Sequence, residues 1–207
     1  MHLTRIRCAT LVGAGLLLTS GTASAHHLMG GKTPTTFAEG IASGVGHPII
    51  GPDHLAFLVA LGIAVGVSRL SLVTPFLFLV AMACGVAAHV AALNIPAAEL
   101  IVAVSVLLAG VLIALDRHIT ASAWAAIFSI AGFFHGYAYG ESIYGAEATP
   151  LAAYLVGLVV VQTALAVGTA FATRAVWTAS GMGPRLVGAA ICGVGFTVLV
   201  GQIIPTP

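Results

Sequence analysis

Charged side chains are scarce in this sequence. Only 6% of the 207 residues are Asp, Glu, Lys or Arg, whereas a soluble domain normally carries about 25%. So few charges cannot cover a surface exposed to water, and 59% of the residues are hydrophobic, with a mean hydropathy of +1.11. We therefore expect a lipid bilayer to surround most of the chain. The net charge of +1 gives no basis for binding nucleic acid.

Several functional signatures are also missing. There are three cysteines, and no pair has the spacing of a zinc site. The sequence has no Walker-type phosphate loop, no H-E-x-x-H metalloprotease motif and no G-x-S-x-G nucleophile motif. We expect neither an enzyme nor an ATP-driven pump, and no permanently bound cofactor.

Residues 1–25 have the pattern of a cleavable signal peptide. Arg5 and Arg7 precede a short apolar segment, and Ala23-Ser24-Ala25 matches the small-x-small cleavage pattern. An uncleaved anchor helix is the alternative. Cleavage after Ala25 would make His26 the new N-terminus.

Residues 26–207 are predicted to form a single transmembrane domain, an all-α bundle of six membrane helices. A short helix outside the membrane is expected over 34–46, with Thr33 as N-cap and Pro34 as its first residue. Its length of roughly 20 Å is below the ~30 Å of the hydrocarbon core. The six predicted spans are 52–68, 72–93, 97–115, 120–140, 150–173 and 185–204.

Arginines orient these spans. With the mature N-terminus outside, four loop arginines fall on the cytoplasmic side, as the positive-inside rule requires: Arg69, Arg117, Arg174 and Arg185. The sequence thus predicts a multi-pass protein of the bacterial inner membrane with both mature termini in the periplasm. Glycines spaced four residues apart predict the faces where helices pack closely, at Gly62 and Gly66 and at Gly132, Gly136 and Gly140.

The same orientation gathers six of the eight histidines at the outer side, while His118 falls inside. Each one alone is compatible with a hydrogen-bonded structural role, but ionisable groups within a membrane usually mark a pathway or site. The six are His26, His27, His47, His54, His89 and His135.

Residues 47–54, HPIIGPDH, are the strongest candidate metal site. Imidazole suits nickel, cobalt, copper and zinc, and a carboxylate can ligate or orient. Pro48, Gly51 and Pro52 are expected to break the helix and turn His47 back toward Asp53 and His54. Asp53 also suits the capping of the first span.

Residues 133–141, FFHGYAYGE, form a second polar segment. His135 and Tyr139 are four residues apart and so share a helix face. The alternative is a packing helix whose histidine bonds to a neighbouring carbonyl. After cleavage, the predicted N-terminus offers a third candidate site. The amine of His26 and the amide and imidazole of His27 can chelate one ion in a plane. The alternative is that His26 and His27 form a loose tail that does not chelate an ion.

At these motifs the sequence resembles the HupE/UreJ family, membrane proteins associated with hydrogenase and urease gene clusters. The family pattern H-x5-D-H resembles His47, Asp53 and His54. The pattern F-H-G-x-[AV]-H-G-x-E resembles Phe134, His135, Gly136, Ala138, Gly140 and Glu141. The resemblance covers essentially the whole chain and implies secondary transport of nickel or cobalt, with a functional link to hydrogenase or urease maturation.

Tyr139 departs from the family pattern, which has a second histidine there. A phenol with a pKa near 10 is a poor nickel ligand. Either Tyr139 orients His135 through a hydrogen bond, or His89 replaces the missing imidazole. The alternative to transport is a metal-binding accessory or sensor protein that does not translocate the ion.

Overall fold

The computed structural model describes residues 32–116, 118–177 and 181–204. The predicted signal peptide and the predicted N-terminal chelate of His26 and His27 lie outside these ranges, as does Arg117. Within them the chain forms seven α-helices and no strand, which confirms the all-α class. The helices are α1 (Phe37–Ile50), α2 (Pro52–Val67), α3 (Val73–Val90), α4 (Ala98–Ala114), α5 (Ala121–Glu141), α6 (Ala148–Val176) and α7 (Met182–Ile203).

Helices α2 to α7 follow the six predicted spans closely. In the described ranges, α3, α6 and α7 are long and apolar enough to cross a membrane, and α1 with α2 has the combined length and apolarity of one bent span. Helix α4, at 17 residues, is a shorter apolar helix. The chain is therefore an α-helical membrane protein, and the number of six spans stays a prediction.

The start of α1 differs from the prediction. Thr36, not Thr33, is the N-cap, and Pro34 precedes the helix. The Thr36 hydroxyl accepts a hydrogen bond from the backbone N–H of Glu39, whose carboxylate accepts one from the backbone N–H of Thr36. This reciprocal capping box satisfies two helix-end donors, and the Thr-x-x-Glu spacing is its sequence signature.

The predicted end of α1 near Gly46 is also wrong. The helix continues through Pro48, which lacks one backbone donor, to Ile50. The break falls at Gly51, where α1 and α2 meet at 77°. A Cβ atom on Gly51 would lie only 2.8 Å from the His54 ring, so glycine leaves room for this ring at the bend.

Helix α2 is the centre of the bundle. It packs against α1, α3, α4, α6 and α7, and its residues from Leu58 to Gly66, apart from Val59, are buried. The predicted glycine faces are confirmed: Gly136 lies against the backbone of Met82 on α3, and Gly62 against Ala166 and Thr169 on α6. Close backbone contact of this kind is how helices associate in lipid.

Charged residues mark two opposite ends of the bundle. At one end, Arg174 of α6 donates to the carbonyl oxygen of Leu70, just after α2 (2.7 Å), and Arg185 of α7 donates to that of Ala114 at the end of α4 (3.1 Å). At the other end, Glu99 opens α4 and Glu141 closes α5, and both line one cavity. We call these the arginine end and the glutamate end.

Candidate metal centre

Three histidines from three helices meet inside the bundle, together with one carboxylate. His47 comes from α1, Asp53 and His54 from the first turn of α2, and His135 from α5. Their side chains are between 1% and 5% exposed. Burying several ionisable groups among membrane helices is costly and is typical of a functional site. The bend at Gly51 allows His47 and His54 to approach, with ring centroids 5.5 Å apart.

His54 and His135 form the closest pair, with Nδ1 atoms 2.8 Å apart. Ser105 on α4 sets the state of His135. The serine hydroxyl donates to the carbonyl oxygen of Val102 (2.7 Å), so its oxygen accepts from Nε2–H of His135 (3.0 Å). A neutral His135 then has no proton on Nδ1. That nitrogen is an acceptor, and it points at His54.

Two hydroxyls fix His47 in the same way. The Tyr154 hydroxyl on α6 donates to the carbonyl oxygen of Tyr139 (2.8 Å) and therefore has a lone pair for Nδ1–H of His47 (3.1 Å). Ser142 lies 3.0 Å from the same nitrogen. With its proton on Nδ1, a neutral His47 has no proton on Nε2, which is the form in which an imidazole binds a metal.

Asp53 has the role expected for it at the start of α2. Its Oδ1 accepts from the backbone N–H of His54 (2.8 Å) at the start of α2, where a negative charge is favoured by the helix dipole. The carboxylate is 3% exposed and directly precedes His54. It therefore provides negative charge beside the histidines, which a cation needs in a medium of low dielectric constant.

Aromatic rings enclose the histidines. Phe57 packs on His135 with ring centroids 4.4 Å apart, and Tyr139 lies 4.3 Å from His54 and 5.0 Å from His47. The Tyr139 hydroxyl is buried without a hydrogen-bond partner among the described residues. The hypothesis that Tyr139 orients His135 through a hydrogen bond is therefore wrong, because Ser105 occupies that role.

The predicted ligands are close together without forming a finished metal site. In the part of the chain that the structure describes, no three His, Cys, Asp or Glu side chains are arranged to hold one ion. His54 and His135 are the closest pair, and His47 and Asp53 flank them. An ion held by this pair would need a further ligand from water or from movement of the flanking side chains.

His89 and Glu141 lie elsewhere. They line a cavity of about 510 Å³ at the glutamate end, together with Glu99 and Tyr137. The His89 ring packs on Tyr137 and Tyr144, with centroids 4.6 and 5.9 Å apart. The structure therefore places His89 apart from the three clustered histidines, and it is no substitute for the imidazole missing at Tyr139.

Ser142, not Glu141, occupies the site position at the end of α5. Counting F-H-G-x-[AV]-H-G-x-E from Phe134 puts its final Glu at position 142, so the match to Glu141 is one residue out of register. Residue 142 is 7% exposed and adjoins His47, whereas Glu141 is exposed.

The sequence analysis missed three hydroxyl residues that contact the histidines: Ser105, Ser142 and Tyr154. Ser105 could have been noticed in the sequence, because it is the only polar residue of α4 after Glu99.

Fold and site together define an α-helical membrane protein with a buried histidine cluster. Comparison with known proteins identifies its family. A sequence model of the family described as HupE / UreJ protein matches residues 14–198. The chain belongs to the HupE/UreJ family.

A relative in this family is Protein HupE of Rhizobium leguminosarum bv. viciae. It is 28% identical over 167 residues, which cover 79% of this chain and 86% of the relative. No solved structure matches the chain.

Proposed function

We propose that this protein is a secondary carrier that takes up Ni²⁺ or Co²⁺ across the bacterial inner membrane. The observation that supports this most is the group of three buried histidines and Asp53 at the junction of α1, α2 and α5. Imidazole nitrogen suits both metals. The family association with hydrogenase and urease fits such a role, and we propose that the imported metal serves their maturation.

The arrangement of donors suits a transported ion better than a resident one. Two Nδ1 atoms 2.8 Å apart offer a partial set of ligands, which water can complete. Binding that is strong enough to remove part of the hydration shell, yet weak enough to release the ion, is what transport requires. We accordingly propose that the protein is not an enzyme and that the metal is its substrate rather than a cofactor.

The membrane potential can drive this movement. A divalent cation moving inward gains about 4.6 kcal/mol per 100 mV, twice the value for a single charge. We propose that the glutamate end faces the periplasm and the arginine end the cytoplasm, because positively charged loops stay inside. A cation would then enter through the cavity lined by Glu99 and Glu141, where carboxylates raise its local concentration.

This orientation predicts both mature termini in the periplasm. Alkaline phosphatase fused after residue 207 should be active, and the same enzyme inserted between α4 and α5 should be inactive. The reverse pattern would rule out the proposed direction of uptake.

Flux and binding measured in parallel test the function itself. Cells expressing the protein should accumulate radioactive nickel or cobalt. The variant His54→Ala should lose this uptake while still inserting, and His118→Ala, an exposed histidine near the arginine end, should behave as wild type. If the purified protein binds metal but reconstituted vesicles show no flux, the protein is a metal-binding accessory or sensor.

A further inference from the structure

Gln162 on α6 is a fully buried amide with no role in the site described above. It is 0% exposed. Neither Oε1 nor Nε2 has a hydrogen-bond partner among the described residues. A buried polar group without partners is rare and costly, and it needs a physical explanation.

Gln162 lies on the same face of α6 as the tyrosine that binds His47. Tyr154, Leu158 and Gln162 follow one another at intervals of four residues, and all three are buried. Gln162 is therefore two turns beyond Tyr154, about 12 Å along the helix axis. Since α6 runs from the glutamate end to Arg174, Gln162 lies on the arginine side of the cluster.

The packing of α2 on α6 gives the depth of Gln162 relative to His54. A Cβ atom on Gly62 would lie 2.7 Å from the carbonyl oxygen of Ala166, and one on Gly66 would lie 2.8 Å from that of Ala170. The two helices thus run in parallel with a constant register. One turn earlier, this register pairs Gln162 with Leu58, which is itself one turn beyond His54.

The apolar core is divided at the same level. Tyr154 and Leu158 belong to one buried apolar cluster, and Ala166 and Ala170 belong to another. Gln162 separates the two along α6. The histidine pair also lies where the two clusters meet, because His54 contacts Tyr139 of one cluster and His135 contacts Phe57 of the other. Gln162 is therefore a further polar group between the two clusters, and the register of α2 on α6 places it one turn beyond His54 toward the arginine end.

We infer that Gln162 forms a second binding station for a partly hydrated divalent cation, one helical turn beyond the histidine cluster on its way to the arginine end. The inference rests on the proposed function. The amide Oε1 supplies an oxygen ligand, and Nε2 donates to a water of the ion or to a backbone carbonyl. Oxygen is a weaker donor than imidazole for nickel and cobalt. An ion that leaves the histidines for Gln162 is thus bound less tightly and closer to release.

The variant Gln162→Leu tests this station, with Thr163→Val as the control. Thr163 is the next residue on α6 and is only partly buried, so its replacement removes a neighbouring polar group from another face. Binding of Ni²⁺ to purified protein and uptake of Ni²⁺ by vesicles are measured for both. We expect the affinity of Gln162→Leu for Ni²⁺ to stay within about twofold of wild type, and its uptake rate to fall about tenfold or more. Thr163→Val should retain both.

Gln162→Glu keeps the length and an oxygen donor, and it should recover part of the uptake that Gln162→Leu loses. Wild-type uptake by Gln162→Leu would overturn the inference. An equal loss of Ni²⁺ binding and uptake would also overturn it, since Gln162 would then support the histidine cluster rather than form a separate station. The inference would fail as well if Gln162→Glu binds Ni²⁺ but transports it no better than Gln162→Leu. Absence of uptake by the wild-type protein would instead contradict the proposed function, and the inference with it.

Discussion

The Nδ1 atoms of His54 and His135 lie 2.8 Å apart, although 81 residues separate them in the chain. Two imidazole nitrogens bound at right angles to one ion, each about 2.1 Å from it, are separated by about 3.0 Å. The pair therefore has nearly the separation of two ligands of one ion. An ion about 2.1 Å from both nitrogens lies about 1.5 Å off the line that joins them, so each ring must tilt to direct its lone pair at the ion when the ion replaces the proton between them. Phe57 and Tyr139 pack on these rings and limit how far they can tilt.

Replacing Ser105 should weaken metal binding through His135. In Ser105→Ala the ring loses the oxygen that accepts from Nε2–H, so the imidazole is free to change its protonated nitrogen and its orientation. The loss of such a supporting hydrogen bond typically lowers metal affinity about 10- to 100-fold. Calorimetric titration of the purified variant with Ni²⁺ measures this change.

The control for Ser105 is Thr197→Ala. The Thr197 hydroxyl likewise donates to a carbonyl of its own helix, that of Gly193, but Thr197 is exposed on α7. This variant should bind Ni²⁺ as the wild type does. Unchanged affinity in Ser105→Ala, with the fold intact, would show that the serine does not position His135.

Gly136→Ala should destabilise the bundle. A Cβ atom there would collide with the backbone of Met82 on α3, so α3 and α5 would have to separate. Gly168→Ala is the matched control, because nothing lies within 4 Å of its added Cβ atom. Alanine is favoured over glycine in a helix by up to about 1 kcal/mol, so the control should be neutral or slightly more stable. Thermal unfolding in detergent compares the two, and equal midpoints would contradict the packing.

The sequence alone predicted much of this fold because its signals were local and periodic. Long apolar segments separated by short loops located α2 to α7, and glycines four residues apart located the packing faces. Two errors in α1 came from weighing prolines too heavily. Pro34 was taken as a helix start although Thr36 and Glu39 form the capping box, and Pro48 was taken as a break although only Gly51 is one.

The candidate site was only partly predictable, because its details depend on contacts between distant helices. His47, Asp53, His54 and His135 could be chosen by residue type and expected depth. No local pattern indicates that Ser105 would reach His135 or that Tyr154 would reach His47, 107 residues earlier. The sequence indicates how deep a residue lies along a helix, but not which neighbouring helix its side chain faces. His89 and Glu141 were therefore grouped with the cluster, whereas the structure places them in the cavity at the glutamate end.

Tyr139 offers the most direct test of how this chain differs from the family pattern. Its ring lies 4.3 Å from that of His54 and 5.0 Å from that of His47, so an imidazole at this position reaches the same group. Tyr139→His should therefore add a nitrogen ligand and tighten Ni²⁺ binding. Titration with Ni²⁺ and the thermal shift produced by the ion measure the gain. Affinity equal to or below that of wild type would mean that position 139 does not face the bound ion.

Tyr139→Phe separates the ring of Tyr139 from its hydroxyl. The hydroxyl is buried without a hydrogen-bond partner among the described residues, and leaving such a group unsatisfied costs about 1–3 kcal/mol. Removing it should raise the unfolding midpoint of the metal-free protein, while the phenyl ring continues to pack on His54. Nickel uptake should remain close to wild type, because a neutral phenol is a poor ligand. If uptake falls while the midpoint rises, the hydroxyl contacts the ion or one of its waters, and tyrosine at this position is itself part of the metal site.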